Sequence, residues 1–407
     1  MDQNKLNDNN EAESLKSADF KLSAFSPPLK IGLDGKRASQ NFTGLGNYSR
    51  YVISILASYF PKNKYFVYSP QRKSGSFLEG IQSSFVVSFH YPQSPGLKSL
   101  WRSYGILRDL KGDGIDLYHG LSNEIPFGIK KTGIPSIVTI HDLIFLKYPH
   151  YYPWFDRKMY EFKSRYACQN ADLIMAISEQ TKKDIMKWYG IPENRIAVVY
   201  QNCNPIFAKQ ASITDFKVVK DKYSLPDRYL LSVGTIEARK NLLTIVKALK
   251  NVPNDTLLVV VGRETPYADR VKEYISQNNL SGRVHFLSNV PLHDLPMLYQ
   301  NAEIFLFPSE YEGFGIPIVE ALHSRVPVIA AKGSCLEEAG GPGSIYVDSN
   351  DESGFSDAIK NVLSDPLKKE QMKQDGVEYA RRFSSDLIAS QIMDLYHKVI
   401  QHVKRGN

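Results

Sequence analysis

Short apolar runs alternate with helical stretches twice along this 407-residue chain, and nothing else in it constrains the fold as strongly. Parallel strands cannot be joined by a tight turn and need a long crossover, so strand-sized runs alternating with helical patterns specify βαβ units. In the first half the runs are LKIGLDG (29–35), KYFVYSP, SFVVSFH, IDLYHG, SIVTIHD and LIMAIS. Helical patterns lie between them, for example Asn47–Tyr59 and Asp156–Asn170. The stretch NRIAVVYQNCNPIF ends this unit, and a polar stretch follows from about 208 to 227. A second series then begins at DRYLLSVGT and continues through TLLVVVG, RVHFLSN, AEIFLFPS, PVIAAKG and GSIYVD. The expectation is an α/β protein with two doubly wound, Rossmann-like domains facing a cleft, at 28–207 and 208–384. A disordered tail over 1–27 precedes them, and an amphipathic helix over 385–407 is expected to pack back toward the first domain. Open sheets of this kind take ligands at the carboxyl ends of their strands.

Composition narrows the class. The chain is 43% hydrophobic and 23% charged, ordinary for a globular protein, and no apolar run approaches the about 18 residues needed to span a bilayer. The first 27 residues are polar and lack the apolar stretch of a signal peptide, so a cytoplasmic location is expected. Cys168, Cys203 and Cys335 are odd in number and far apart, which suits reduced thiols rather than disulfides or zinc. The net charge of +7 is uneven. Residues 28–205 hold 23 Lys and Arg against 13 Asp and Glu, or +10; residues 1–27 carry −2 and residues 206–407 carry −1. A solvated basic face is the commoner source of a modest excess. The sharper reading is an anionic partner for the first domain: a phosphorylated acceptor, an acidic polymer or peripheral contact with an anionic membrane. No nucleic-acid motif is present.

Four loops follow strands and carry candidate chemistry. In SQNFTGLGNYSRYV, Gly44 and Gly46 precede a helix expected near Asn47, where backbone can approach a phosphate at a helix N-terminus. A plain turn is as common. In TIHDLIF, His141 ends a strand and can reach the cleft, or it can be a satisfied core histidine. In SVGTIEARKNLL, a strand ends at Gly234, Arg239 and Lys240 follow, and Asn241 can cap the next helix. Two cations beside a helix N-terminus oppose its dipole, and an anion such as a diphosphate would resolve the conflict. In SEYEGFGIPIVEA, Gly313, Gly315 and Pro317 place Glu312 in a loop and Glu320 near the first turn of a helix. Cations for a diphosphate and carboxylates for hydroxyls describe a nucleoside diphosphate sugar, with Glu320 on the ribose diol and Glu312 on the sugar.

These stretches resemble, in matching order over roughly residues 29–400, the family 4 retaining glycosyltransferases of the GT-B fold. EGFGIPIVE (312–320) is similar to their Glu-x7-Glu motif, VGTIEARKN to their donor diphosphate loop, TGLGNYSRYV to their N-terminal glycine loop and TIHDLIF to their acceptor-domain histidine segment. The resemblance implies retaining transfer from a nucleotide sugar with no cofactor and no metal. It implies Glu320 on the ribose, Glu312 with Phe314 and Gly315 on the sugar, and Lys240 helped by Arg239 on the diphosphate. His141 would lie near the sugar's 6-hydroxyl or the reaction centre. Many members place an arginine after the strand glycine, where this chain has Thr235; Arg239 is assigned that duty. GTIEARKN is most similar to mannosyltransferase members, so GDP-mannose leads and UDP-sugars follow. A glycan or polyprenyl diphosphate-linked glycan is the expected acceptor, in surface polysaccharide synthesis. The alternatives are an NDP-sugar epimerase on the same fold and a non-catalytic binding subunit.

Overall fold

The computed structural model describes residues 27–406 except 42, 73–77, 79, 80, 82, 83 and 94–97, so the tail expected over 1–27 lies outside the described residues but for Pro27. Among the described residues the first sheet contains β1 (Lys30–Asp34), β2 (Lys64–Tyr68), β3 (Val87–His90), β4 (Leu117–Gly120), β5 (Ser136–Ile140), β6 (Leu173–Ala176) and β7 (Ile196–Val198). All pair in parallel, in the order β3-β2-β1-β4-β5-β6-β7. The edge strand β7 comes from the run that the sequence marks only as the end of the unit. The second sheet contains β8 (Tyr229–Val233), β9 (Leu257–Val261), β10 (Val284–Leu287), β11 (Ile304–Phe307), β12 (Val328–Ala331) and β13 (Ile345–Val347), in the order β10-β9-β8-β11-β12-β13. Each sheet reverses its winding at one pair, β1 beside β4 and β8 beside β11. Such a switch point opens a crevice at the carboxyl ends of the two strands. This is the two-domain GT-B architecture.

The helices that place the cleft are α1 (Gly44–Tyr59), α2 (Trp154–Asn170), α3 (Glu179–Tyr189), α4 (Leu242–Ala248), α5 (Ile316–His323), α6 (Leu336–Gly340) and α7 (Ser385–Gly406). The last of these crosses from the second sheet onto the first. Tyr51 donates to Ser385 Oγ at 3.1 Å, and Tyr396 OH lies 2.7 Å from Nδ1 of His119, whose Nε2 meets Thr139 Oγ1 at 2.8 Å. His119 is fully enclosed; burial first, then His141, pushes its imidazole down to about 3 and keeps it neutral. One apolar core joins α1, residues 199–207, α5 and α7. Among the described residues no helix is long and apolar enough to cross a membrane.

Two local expectations are corrected. The first helix begins at Gly44, not near Asn47, so both glycines lie in its first turn rather than in a loop before it. The cause is Asn41, whose Oδ1 accepts from the N–H and hydroxyl of Thr43, each at 2.7 Å, and sets the start one residue later. Asn41 also explains Gly46: a Cβ there would lie 1.8 Å from the Asn41 carbonyl oxygen, whereas at Gly44 it would meet nothing within 4 Å. The second correction is Asn241. Its backbone is left-handed at φ 53° and its side chain does not cap the N–H groups of α4. It donates instead to Ser349 O at 2.6 Å and accepts from Thr244 Oγ1 at 3.0 Å.

These contacts predict opposite outcomes for the two glycines. Gly46→Ala should cost about 1–3 kcal/mol, because backbone must move to admit the methyl. Gly44→Ala should change stability by no more than about 0.5 kcal/mol. Denaturant midpoints of the two variants check the contrast.

Candidate functional site

The crevice between β8 and β11 is lined by the two loops that follow these strands. After β8 the chain turns through Gly234 at φ 148°, a conformation suited to glycine, and folds into a short turn at Ala238–Lys240. After β11 it runs through Pro308–Gly315 to the N-terminus of α5. The loops are tied by Glu310 N donating to Arg239 O at 2.9 Å. At their meeting point Glu312 accepts from Arg239 Nη1 at 2.8 Å, from Lys240 Nζ and from Ser309 Oγ at 2.5 Å. Arg239 also donates to Glu237 at 2.7 Å and to Tyr311 O, and Lys240 Nζ stands 4.9 Å above the Phe307 ring. The charge conflict read at Arg239 and Lys240 is therefore met inside the chain by Glu312 and Glu237. Burial alone would raise the Glu312 carboxyl, but Lys240 and then Arg239 outweigh it and hold it down at about 2. Gly234 and Lys240 line one small hollow with Thr235 and Phe307.

The first domain meets this cluster at Gly313. A Cβ there would lie 2.3 Å from the His141 carbonyl oxygen, so only glycine permits the approach. Ser178 Oγ donates to Gly313 O at 2.8 Å, and Thr181 Oγ1 bonds His141 O at 3.2 Å. The His141 ring is buried, set edge-on to Tyr48 at 4.6 Å between centroids, with Nε2 2.9 Å from Leu121 O. A carbonyl only accepts, so Nε2 carries the proton and Nδ1 is left as an acceptor. Burial pushes this imidazole down to about 4, which makes it a neutral polar contact rather than an acid at neutral pH. Next to it lies Asp142, whose Oδ1 accepts from the N–H of Ile144 at 3.2 Å. Burial raises its carboxyl, and Arg239 and Glu312 both act on it across the cleft. Asp142 and Asn123 open onto a cavity of about 240 Å³ in the first domain, walled on its far side by Tyr160 and Lys163 of α2. The one sequence signal for Asp142 is its place beside a histidine at a strand end.

The other predicted residues separate. Phe314 is buried, stacked on Tyr200 at 5.6 Å and edge-on to Phe383 at 5.4 Å, so only its backbone can face a ligand. Gly315, at φ 122°, caps α5 and packs against Leu336. Glu320 is the fifth residue of α5, near the first turn as expected, in a helix that opens at Ile316, one residue before Pro317. Its Oε2 accepts from Tyr299 OH at 2.9 Å and does not join the Glu312 cluster. Burial pushes this carboxyl up to about 7, against the Tyr299 hydrogen bond that favours its charge. Gly44 and Gly46 belong to the α1 turn described above.

The geometry at Glu320 predicts a pH dependence with a definite sign. Its folded value lies above the ordinary 4.5 of a glutamate, so its share of stability is complete at low pH and falls as pH rises from 4.5 to about 7. A vicinal diol donates to the ionised form, so a ligand bound through one should bind more tightly at pH 8 than at pH 6. Glu320→Gln should flatten both profiles, as read by thermal unfolding and by calorimetry with a nucleoside diphosphate.

Comparison with known proteins places the two halves of the chain in two glycosyltransferase groupings. Residues 215–381 match the family described as glycosyl transferases group 1, and residues 50–202 match glycosyltransferase family 4. O-antigen chain mannosyltransferase B of Escherichia coli is 30% identical over 296 residues, covering 71% of this chain and 75% of that protein. O-antigen chain mannosyltransferase RfbU of Salmonella typhimurium is 31% identical over 227 residues, covering 55% of this chain and 60% of that protein. Among solved structures, a glycosyltransferase from Rickettsia africae superposes with a TM-score of 0.72 at 16% identity, over 92% of this chain and 99% of that one. Anabaena HepE in complex with UDP and glucose superposes with a TM-score of 0.71 at 18% identity, over 91% and 100%.

Proposed function

This chain belongs to the group 1 and family 4 glycosyltransferases, and we propose that it moves mannose from GDP-mannose, with retention, to a glycan or polyprenyl diphosphate-linked glycan in surface polysaccharide synthesis. The observation that carries this reading is the partly buried Arg239–Lys240–Glu312 cluster at the β8/β11 crevice, across from the Asp142 cavity of the other domain. The O-antigen mannosyltransferases among its relatives support mannose as the sugar.

The chemistry follows from charge. Breaking the bond between the anomeric carbon and the diphosphate sends its electron pair to a phosphate oxygen. Negative charge grows there and positive charge grows on the sugar. Donors fixed in advance at the place where charge appears lower this barrier without reorganising. Arg239 brings a planar fork and Lys240 a point charge, together suited to a diphosphate. In the structure both are engaged by Glu312. An incoming diphosphate carries more charge than one carboxylate, takes over the cations and releases the Glu312 oxygens to accept sugar hydroxyls. The acceptor hydroxyl attacks from the face the phosphate is leaving, and its proton passes to the departing phosphate oxygen. Neutral His141, with Nδ1 as acceptor, orients a sugar hydroxyl. Glu320 takes the ribose diol.

Competition between Glu312 and phosphate for the same cations yields a test. Glu312→Gln should bind free GDP as tightly as the wild type or more so, while turnover falls at least 100-fold. Lys240→Ala should weaken GDP at least tenfold and guanosine little. Calorimetry with both ligands and radiolabelled transfer measure these quantities. In the wild type, GDP-mannose at 100 times its dissociation constant should add about 2.7 kcal/mol of stability, read as a thermal shift. Weaker GDP binding by Glu312→Gln with full turnover would remove Glu312 from the donor site, and isomerised sugar from donor alone would mark an epimerase.

A further inference from the structure

Helix α2 has two apolar faces, and only one of them packs inside. Its inner face buries Ser164, Ala167 and Cys168. Its outer face carries Phe155, Met159, Phe162 and Tyr166 at spacings of four, three and four residues, one stripe along a helix of 3.6 residues per turn. That periodicity normally marks the core side of a helix. Here Phe155 is 68% exposed and Phe162 62% exposed, with Trp154 at the helix start also in solvent. The stripe continues onto the neighbouring segments. Phe162 lies 5.7 Å from the Phe127 ring, and Phe127 stacks on Tyr104 at 5.2 Å, beside exposed Leu100. A contiguous patch of large apolar side chains in water marks an interaction surface rather than ordinary surface scatter.

The charges around the patch say what it meets. Lys98, Arg108, Lys130 and Lys131 are exposed on the segments that continue it, and Lys158 lies on the flank of the α2 stripe. Of the nearby carboxylates, Glu161 pairs with Arg165 at 2.9 Å and Lys158 at 3.4 Å, Asp109 accepts from the Trp101 indole at 2.6 Å, and Glu124 pairs with Arg102 and Lys163, while Asp156 in the first turn of α2 sets one negative charge beside Phe155. Aromatic side chains ringed by lysine and arginine match an interface of acyl chains under anionic headgroups. The stripe neighbours the side of α2 where Tyr160 and Lys163 wall the cleft cavity.

We infer that the outer face of α2, with Leu100, Tyr104 and Phe127, docks the protein on an anionic bilayer and holds the α2 cavity at headgroup level. Phe155 and Phe162 enter the interface, and the lysines neutralise the headgroups. For the cavity this rests on the transferase reading, because a glycan on a lipid diphosphate would then reach the cleft without leaving its membrane. Docking itself rests on the patch alone.

Vesicle flotation tests it with the full chain, on phosphatidylcholine vesicles with and without 40% phosphatidylglycerol. The wild type should float with the anionic vesicles at 50 mM salt and severalfold less at 1 M, where the Debye length falls to about 3 Å. Phe155→Ser with Phe162→Ser should lower the bound fraction at least tenfold, and Lys130→Glu with Lys131→Glu at least threefold. The GDP-mannose thermal shift of each variant serves as the control for folding. Its absence from the wild type would sink the donor reading and leave docking standing. No flotation of the wild type at 50 mM salt overturns the proposal. So does flotation unchanged by the phenylalanine substitutions, or a lipid-free dimer that those substitutions abolish, which would make the face a contact between copies.

Discussion

A single carboxylate, 12% exposed, organises the cleft. Glu312 stands between Arg239 and Lys240, and without it two cations would face each other in a site with little water to screen them. Desolvating three charges is costly, and the attraction offsets that cost only because Ser309 and the Tyr311 carbonyl complete the hydrogen bonding. The cluster joins the loop after β8 to the loop after β11, which the sheet order has already made neighbours. Because the Glu312 carboxyl is held at about 2, its contribution is present above the ordinary value of 4.5 and fades as pH falls toward 2. Removing Glu312 alone leaves Lys240 without its counter-ion, whereas Arg239 keeps Glu237.

From this cluster the contact between the domains follows. Glu312 fixes the path of the chain into Gly313, and Gly313 is where the His141 carbonyl comes closest. The front of the cleft is then closed by polar contacts: Ser178 to Gly313 O at 2.8 Å, Tyr311 to Asp184 at 2.5 Å, Tyr151 to Glu310 at 2.7 Å. Glu338 of α6 accepts from the N–H groups of Glu179 and Gln180 at the start of α3, where the helix dipole favours an anion. At the back, α7 packs into the shared apolar core against α1 and β4. A few hydrogen bonds separate more easily than a packed core, so the geometry favours opening at the front with α7 as the pivot side.

The neutral imidazoles of His119 and His141 belong to the same design. Both are buried, held by hydroxyl or carbonyl groups, and pushed well below the ordinary histidine value. His141 fixes hydrogen-bond geometry beside the cleft and His119 does so beneath α7, and neither adds positive charge to the domain with the basic excess. The cations paired with Glu312 stay on the other domain, at Arg239 and Lys240. Asp142, whose carboxyl is raised by burial, lies where Arg239 and Glu312 of the other domain both act on it.

Local pattern was enough for the strands, because each apolar run carries its own period and its flanking turn residues. The twelve runs read from the sequence all appear as strands, and β7 is the addition. Residue chemistry was enough to single out Arg239, Lys240 and Glu312 as groups for charged or polar partners. It was not enough to say that their first partners are one another. That depends on β8 lying beside β11, a pairing between segments about 70 residues apart that no local window contains. The same limit explains Gly46, where a Cβ would meet the Asn41 carbonyl, and Phe314, whose ring is core. It explains Glu320, raised by an enclosure that its helical neighbours alone do not reveal. A sequence specifies which groups exist and what each prefers; the order of strands in a sheet decides which preferences are met at close range, and electrostatics in a dry cleft depends on that distance.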